Sequence, residues 1–117
     1  MSFNKYNARK IQIQGETFDS MAEAKRWREL QWMQRGGLIK GLQRQVVYIL
    51  LPKQYDEYGK VIERAAEYIA DFVYYEDGQL VVEDVKGYKK GSAYALFALK
   101  RKLMLKLYGI RVREISR

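Results

Sequence analysis

The dipeptide Asp77-Gly78 stands between two apolar runs, Tyr68–Tyr75 and Leu80–Val85, and this constrains the fold more than any other feature. A two-residue hairpin loop that needs positive φ at both positions takes Asn or Asp followed by Gly. Two antiparallel strands are therefore expected, a strand region from Ile62 to Tyr75 and a second strand from Leu80 to Lys86, with Glu76-Asp77-Gly78 as the turn. Side chains alternate along a strand. Val82, Asp84 and Lys86 then share one face of the second strand, while Val81, Glu83 and Val85 share the other. The first strand carries an isolated acid, Asp71, among Ile69, Ala70, Phe72 and Val73. A carboxylate in such surroundings is costly unless it is paired or binds a metal. If the hairpin register brings Asp71 to the face of Asp84 and Lys86, two carboxylates and an ammonium converge. A strand bulge would put Glu83 in the place of Asp84.

A second local signal lies upstream. Ser20-Met21-Ala22-Glu23 is a capping box, in which Ser20 takes a backbone N–H of the first turn and Glu23 reaches back. The helix is expected to run from Met21 to about Gln34 and to stop at Gly36-Gly37. At ~100° per residue, Glu23, Trp27 and Leu30 fall on one partly apolar face, with Lys25, Arg28 and Glu29 well away from it. Glu23 has two readings: the reciprocal partner of the cap, or an acid pointing into a site that holds cations.

The rest of the chain fits around these elements. Residues 1–14 read as a loose basic arm, with an edge strand near Lys10–Gln14. Leu38–Arg44 reads as a connector, and Gln45–Leu51, a near-continuous apolar run ended by Pro52, as a strand covered on both faces. Lys53–Lys60 reads as a polar turn or loop. Ser92 is expected to cap a helix from about Ala93 to Tyr108, ended by Gly109, with a final alternating strand over Ile110–Ile115. A helix between two strands suggests a crossover. The expectation is one α/β domain over residues 1–117, in the order α-β-β-β-α-β, with a central mixed sheet of about four to five strands flanked by helices.

Composition narrows the chemistry. The chain has no cysteine and no histidine, which removes thiol catalysis, His-based triads and the usual zinc sites. Any metal must sit on oxygen ligands, which suits Mg²⁺ or Mn²⁺. The net charge is +8, and residues 86–117 hold ten Lys/Arg against one acid, Glu114. Such a basic half points to a polyanion, with nucleic acid the leading partner. Lys89, Lys90 and Tyr88 follow the acid–lysine pair and suit phosphates or a stacked base; the plainer reading is a solvated loop. In the last helix Leu96, Leu99, Leu103 and Leu107 form an apolar stripe flanked by Phe97 and Met104. Lys100 falls within that arc, and either runs along the core to solvent or reaches the site. Arg101 and Lys102 lie elsewhere on the helix and are candidate phosphate contacts. An apolar arc that covers a sheet argues against a membrane-surface helix. No segment reaches the ~18 apolar residues of a membrane span, and the first ten residues lack the apolar run of a signal peptide, so a cytoplasmic protein is expected.

Asp71, a spacing of twelve residues and Asp84-Val85-Lys86, with an acid on a preceding helix, resemble the PD-(D/E)XK nuclease superfamily. More closely, Ser20-Met21-Ala22-Glu23, Tyr68-Ile69-Ala70-Asp71-Phe72 and Val82-Glu83-Asp84-Val85-Lys86-Gly87 are similar to a small family encoded by phages and prophages, grouped with Holliday-junction resolvase-like and restriction-endonuclease-like proteins. The resemblance covers about Thr17 to Ile115. The superfamily's proline before its first Asp is replaced here by Ala70. The resemblance implies a restriction-endonuclease-like fold and a metal-dependent endonuclease for DNA, with branched DNA in phage recombination or replication as substrate. It implies Asp71, Asp84 and Glu23 as ligands of Mg²⁺ or Mn²⁺, and Lys86 as the catalytic lysine. A resolvase makes two paired cuts, which implies a homodimer acting inside the bacterial host. The alternatives are a non-catalytic nucleic-acid-binding protein that keeps the fold and, more remotely, a nuclease for RNA. For Asp84 and Lys86 the plain alternative is a surface ion pair, worth ~0–1 kcal/mol, which leaves Asp71 unexplained.

Overall fold

The computed structural model describes residues 10–13, 15–87 and 89–116. Ile11–Ile13 (β1) and Glu16–Phe18 (β2) pair antiparallel as a small ribbon, and Met21–Arg35 (α1) follows. The expected edge strand thus belongs to a separate two-stranded sheet; residues 1–9 and Gln14 of the expected arm lie outside the described residues. Ser20 caps α1 as its sequence requires, its Oγ accepting the Glu23 N–H at 3.1 Å. Ser20→Ala is expected to lose about 1 kcal/mol of stability, read as a shift of the urea midpoint without a change of slope. Glu23, Trp27 and Leu30 face inward as the helical spacing predicts: Glu23 and Leu30 are buried and the Trp27 ring stacks on Phe72 at 5.8 Å. Trp32 is exposed.

The main sheet has four strands, Lys40–Leu51 (β3), Ala66–Glu76 (β6), Gln79–Lys86 (β7) and Arg113–Ser116 (β8), in the order β3-β6-β7-β8. The first three are antiparallel neighbours and β7 and β8 are parallel, joined through Gly91–Tyr108 (α2). This is a mixed sheet flanked by helices. Glu76 pairs with Gln79 across Asp77 and Gly78, whose φ values of 52° and 75° are those of the two-residue turn that the dipeptide favours. A smaller hairpin, Gln54–Tyr55 (β4) with Val61–Glu63 (β5), occupies the segment between β3 and β6.

Five expectations are corrected here. The connector over Leu38–Arg44 is mostly strand, since β3 begins at Lys40. β3 is not covered on both faces: it lies at the sheet edge, and Val47, Ile49 and Leu51 are exposed. Its apolar run therefore reflects strand propensity more than burial. The expected strand from Ile62 is divided, with β5 ending at Glu63 and β6 starting at Ala66. In α2 the buried line is Phe97 and Met104, while Leu96, Leu99 and Leu107 are exposed; the helix is apolar almost all round, so its sequence does not single out the face that packs. The helix also starts at Gly91 with Lys90 at its N-cap, so Ser92 lies inside the first turn.

Two apolar clusters hold the sheet. Tyr68, Ala70, Val73, Val82 and Leu50 pack with Phe97 and Met104 of α2 and with Val112. Phe72, Tyr74, Val81 and Ile39 pack with Leu30 of α1. Ala70 and Phe72 are two residues apart yet belong to opposite clusters, with Asp71 between them.

Candidate functional site

The site arises where β6 and β7 separate. Their ladder runs from Glu76↔Gln79 to Phe72↔Glu83 and stops there. Beyond it β7 continues alongside β8, pairing Asp84↔Glu114 and Lys86↔Ser116. At the opened step the Val85 N–H donates to the Asp71 carboxylate at 2.8 Å instead of to a strand carbonyl. An acid within this strand thus satisfies a backbone donor that the departing ladder leaves behind. The opening forms a cleft of about 300 Å³ lined by Tyr68, Asp71, Asp84, Lys86, Phe97 and Lys100, among others.

Strand alternation orients β7 as expected. Asp84 and Lys86 face the cleft, and Lys86 Nζ is 2.9 Å from Asp84 Oδ1. The ammonium also stands 4.1 Å from the centre of the Phe97 ring, a cation–π contact that helps hold it over the cleft. The second oxygen of Asp84 accepts the Tyr68 hydroxyl at 2.5 Å. Burial pushes the Tyr68 hydroxyl well above its ordinary pKa, and the neighbouring Asp84 pushes it further, so Tyr68 stays a donor. Each carboxylate oxygen has two lone pairs. Asp84 therefore retains acceptor capacity for a cation after meeting Lys86 and Tyr68.

Asp71 is the electrostatic centre. Burial raises its pKa well above the carboxylate range, and repulsion by Asp84 raises it further. The Val85 N–H opposes the shift, and Glu23 adds a smaller push upward. Asp71 thus does not ionise readily without a nearby cation. Glu23, on α1, is buried and near enough for its charge to act on Asp71. Its pKa is also raised, by burial and then by Asp19, against the pull of Arg44. Glu23 Oε1 accepts from Gln45 Nε2 at 3.3 Å and lies 3.6 Å from an Arg44 guanidinium nitrogen.

The other sequence candidates separate clearly. Glu83 does not take the place of Asp84: it is fully buried on the opposite face, held by Arg26 through 2.6 and 3.0 Å hydrogen bonds and by the Tyr74 hydroxyl at 2.6 Å. No bulge brings it toward the cleft, and the register Phe72↔Glu83 fixes it on the α1 side. Lys100 lines the cleft. Lys89, Lys90 and Lys102 are exposed, while Arg101 is committed to Glu114 at 2.9 Å. Tyr88 lies outside the described residues. The site also contains residues that sequence reasoning passed over. Tyr68 was legible through its even spacing from Ala70 on the buried side of β6. Arg44 was not: it packs 4.0 Å over the Phe18 ring, bonds Glu16 and the Thr17 carbonyl, and its Nε is buried without a hydrogen-bond partner among the described residues.

Residues 3–116 match the family described as "Protein of unknown function (DUF1064)". The chain belongs to the DUF1064 family. No curated protein and no solved structure matches it. Nearly the whole of this DUF1064 chain is covered, from the segment before β1 into β8, so the split hairpin, the cleft and both helices all lie within the family unit. Among its described residues no three acidic groups close into a metal cage. Mg²⁺ does not require one: it commonly binds through one or two carboxylates, water and substrate phosphates.

Proposed function

We propose that this DUF1064 chain is a Mg²⁺- or Mn²⁺-dependent endonuclease of the PD-(D/E)XK kind, with a restriction-endonuclease-like fold and DNA as substrate. The observation that carries the reading is the opening of the β6–β7 ladder at Asp71, with Asp84, Lys86 and Lys100 around the same cleft. A structural ion pair alone does not account for it. Asp84 and Lys86 satisfy each other, yet Asp71 remains a second buried carboxyl that both burial and Asp84 drive toward neutrality. A divalent cation reverses that cost. The oxygen-only donor set suits hard ions, so the residues present fit the metal.

Asp71 and Asp84 would hold the ion, with Glu23 supporting Asp71. When bound, the ion would stabilise charge on a phosphoryl oxygen and lower the pKa of a coordinated water. Tyr68 fixes the Asp84 carboxylate through its hydroxyl. Lys86, held by Asp84 and by the Phe97 ring, donates to the scissile phosphate as negative charge develops there. Lys100, across the cleft, contacts a neighbouring phosphate. Exposed Lys89, Lys90 and Lys102 contribute non-specific backbone contacts, whereas Arg101 is bound to Glu114. Branched DNA as the preferred substrate, and with it a homodimer that makes paired cuts in a phage or host setting, rest on the resemblance of the three sequence motifs.

Asp84→Ala is expected to stop cutting while DNA binding persists. Retained cutting by this variant refutes the site. Lys89→Ala with Lys90→Ala is expected to lower the slope of log K against log salt by about 1–2, since each phosphate contact contributes ~0.9; gel-shift titration between 50 and 200 mM salt reads this directly. The second reading, a binding protein without catalysis, predicts the same salt slope but no hydrolysis with either metal.

A further inference from the structure

Gln45 holds a backbone conformation unlike the rest of β3. Its φ is +53°, and among the described residues only one other non-glycine, Asp77 in the hairpin turn, has a positive φ. The left-handed region is unfavourable for a long side chain and persists where surrounding structure enforces it, often at functional sites. Gln45 sits opposite Asp71. The β3–β6 register runs in step on both sides of that position, through Arg44↔Phe72 and Val46↔Ala70, yet Gln45 and Asp71 are not a ladder pair. At this step the strands also exchange sides. Arg44 lies over Phe18 and near Trp27 on the α1 side, while Val46 packs with the α2-side cluster. The Gln45 carboxamide donates to Glu23 at 3.3 Å. The acid at the split hairpin is therefore released from both its neighbouring ladders, on one side by β7 leaving and on the other by Gln45.

We propose that Gln45 is a positioning residue of the metal site: its left-handed backbone frees the β3–β6 ladder at Asp71, and its carboxamide holds Glu23 near that acid. This rests on the nuclease reading given above. An amide suits the place chemically. It donates to Glu23 without adding a charge, whereas an acid would repel Glu23 and an ammonium would compete with the ion. The neighbouring Arg44 also lies 3.6 Å from the same Glu23 oxygen, but its guanidinium is shared with Glu16 and the Thr17 carbonyl.

Two substitutions separate backbone from side chain. Gln45→Gly keeps the positive φ at no steric cost and deletes the amide. Gln45→Asn tolerates the conformation but is one methylene too short for Glu23. Both are expected to melt at or above the wild-type temperature, yet to weaken Mn²⁺ binding about fivefold or more in calorimetry without DNA, and to raise the Mn²⁺ concentration for half-maximal cleavage by a similar factor. In a Glu23→Gln background the additional effect of Gln45→Gly is expected to vanish, because the two residues act as one unit. Wild-type Mn²⁺ affinity in both single variants, or full additivity with Glu23→Gln, overturns the proposal. If the wild-type protein itself neither binds Mn²⁺ nor cleaves, the nuclease reading falls and this inference falls with it.

Discussion

Asp71→Asn is expected to abolish cleavage and at the same time to raise the thermal stability of the protein. Asn keeps a carbonyl oxygen for the Val85 N–H, which donates to Asp71 at 2.8 Å, so the opened strand is still supported. What Asn removes is a carboxyl whose folded-state pKa is raised by burial and by Asp84. The sign follows from linkage. With its pKa raised on folding, Asp71 holds its proton longer in the folded state than in the unfolded chain. Folding stability then falls as pH rises from the ordinary carboxylate range toward the raised value. Above that value the full cost of the charge is present. Asp71→Asn should therefore be more stable than wild type near pH 8, by on the order of 1–3 kcal/mol, or several degrees in melting temperature. The advantage should fade as pH drops toward 4. Mg²⁺ or Mn²⁺ should stabilise the wild type at pH 8 and not the variant. Cleavage should fall at least ~10³-fold, the scale of losing a principal stabiliser of transition-state charge. Melting curves at pH 5 and pH 8, with and without metal, check each part.

Arg26→Ala is expected to be among the most destabilising single substitutions in the chain. Glu83 is completely buried, and Arg26 meets both of its oxygens. Removing the guanidinium leaves an uncompensated carboxylate in the core, which costs about 3–5 kcal/mol against a typical total of 5–15 kcal/mol. The Tyr74 hydroxyl, pushed up to about 12 by burial and by its bond to Glu83, remains as a hydrogen-bond donor and does not replace the lost charge. Replacing the whole unit is a different matter. Arg26→Met, Glu83→Leu and Tyr74→Phe together remove both charges and the orphaned hydroxyl, and apolar replacement of a buried pair is often neutral or stabilising. The triple variant should regain most of the stability lost in Arg26→Ala, measured by urea unfolding. It should also cleave, since Glu83 faces away from the cleft. A folded but inactive triple variant would assign Glu83 to the chemistry after all.

These residues also mark how far the sequence could be read. The hairpin, the Ser20 cap and the opposed faces of Glu83 and Asp84 were legible because each depends on neighbours within a few positions: turn chemistry, a three-residue cap spacing and a period of two. The inward face of Glu23, Trp27 and Leu30 was legible from helical period in the same way. The opening of the hairpin at Asp71 was not, because it depends on where β7 leaves β6 for β8. Nor was Gln45, whose left-handed backbone carries no signal of the kind that Asp77-Gly78 gives. Arg26 and Arg44 carry no local signal either, because tertiary packing alone pairs one with Glu83 and lays the other over Phe18. In α2 leucines occur on nearly every side, so only the sheet beneath it selects Phe97 and Met104.

The proposed metal-dependent phosphodiesterase centre lies at the split between β6 and β7. Its most direct test is incubation of the wild-type protein and Asp84→Asn with a panel of junction, flap, duplex and single-stranded DNA, each with Mg²⁺, with Mn²⁺ and with EDTA. Cleavage of at least one substrate by the wild type is expected with either metal, none with EDTA, and none by Asp84→Asn under any condition. Intact DNA throughout, or equal cutting by Asp84→Asn, would contradict it.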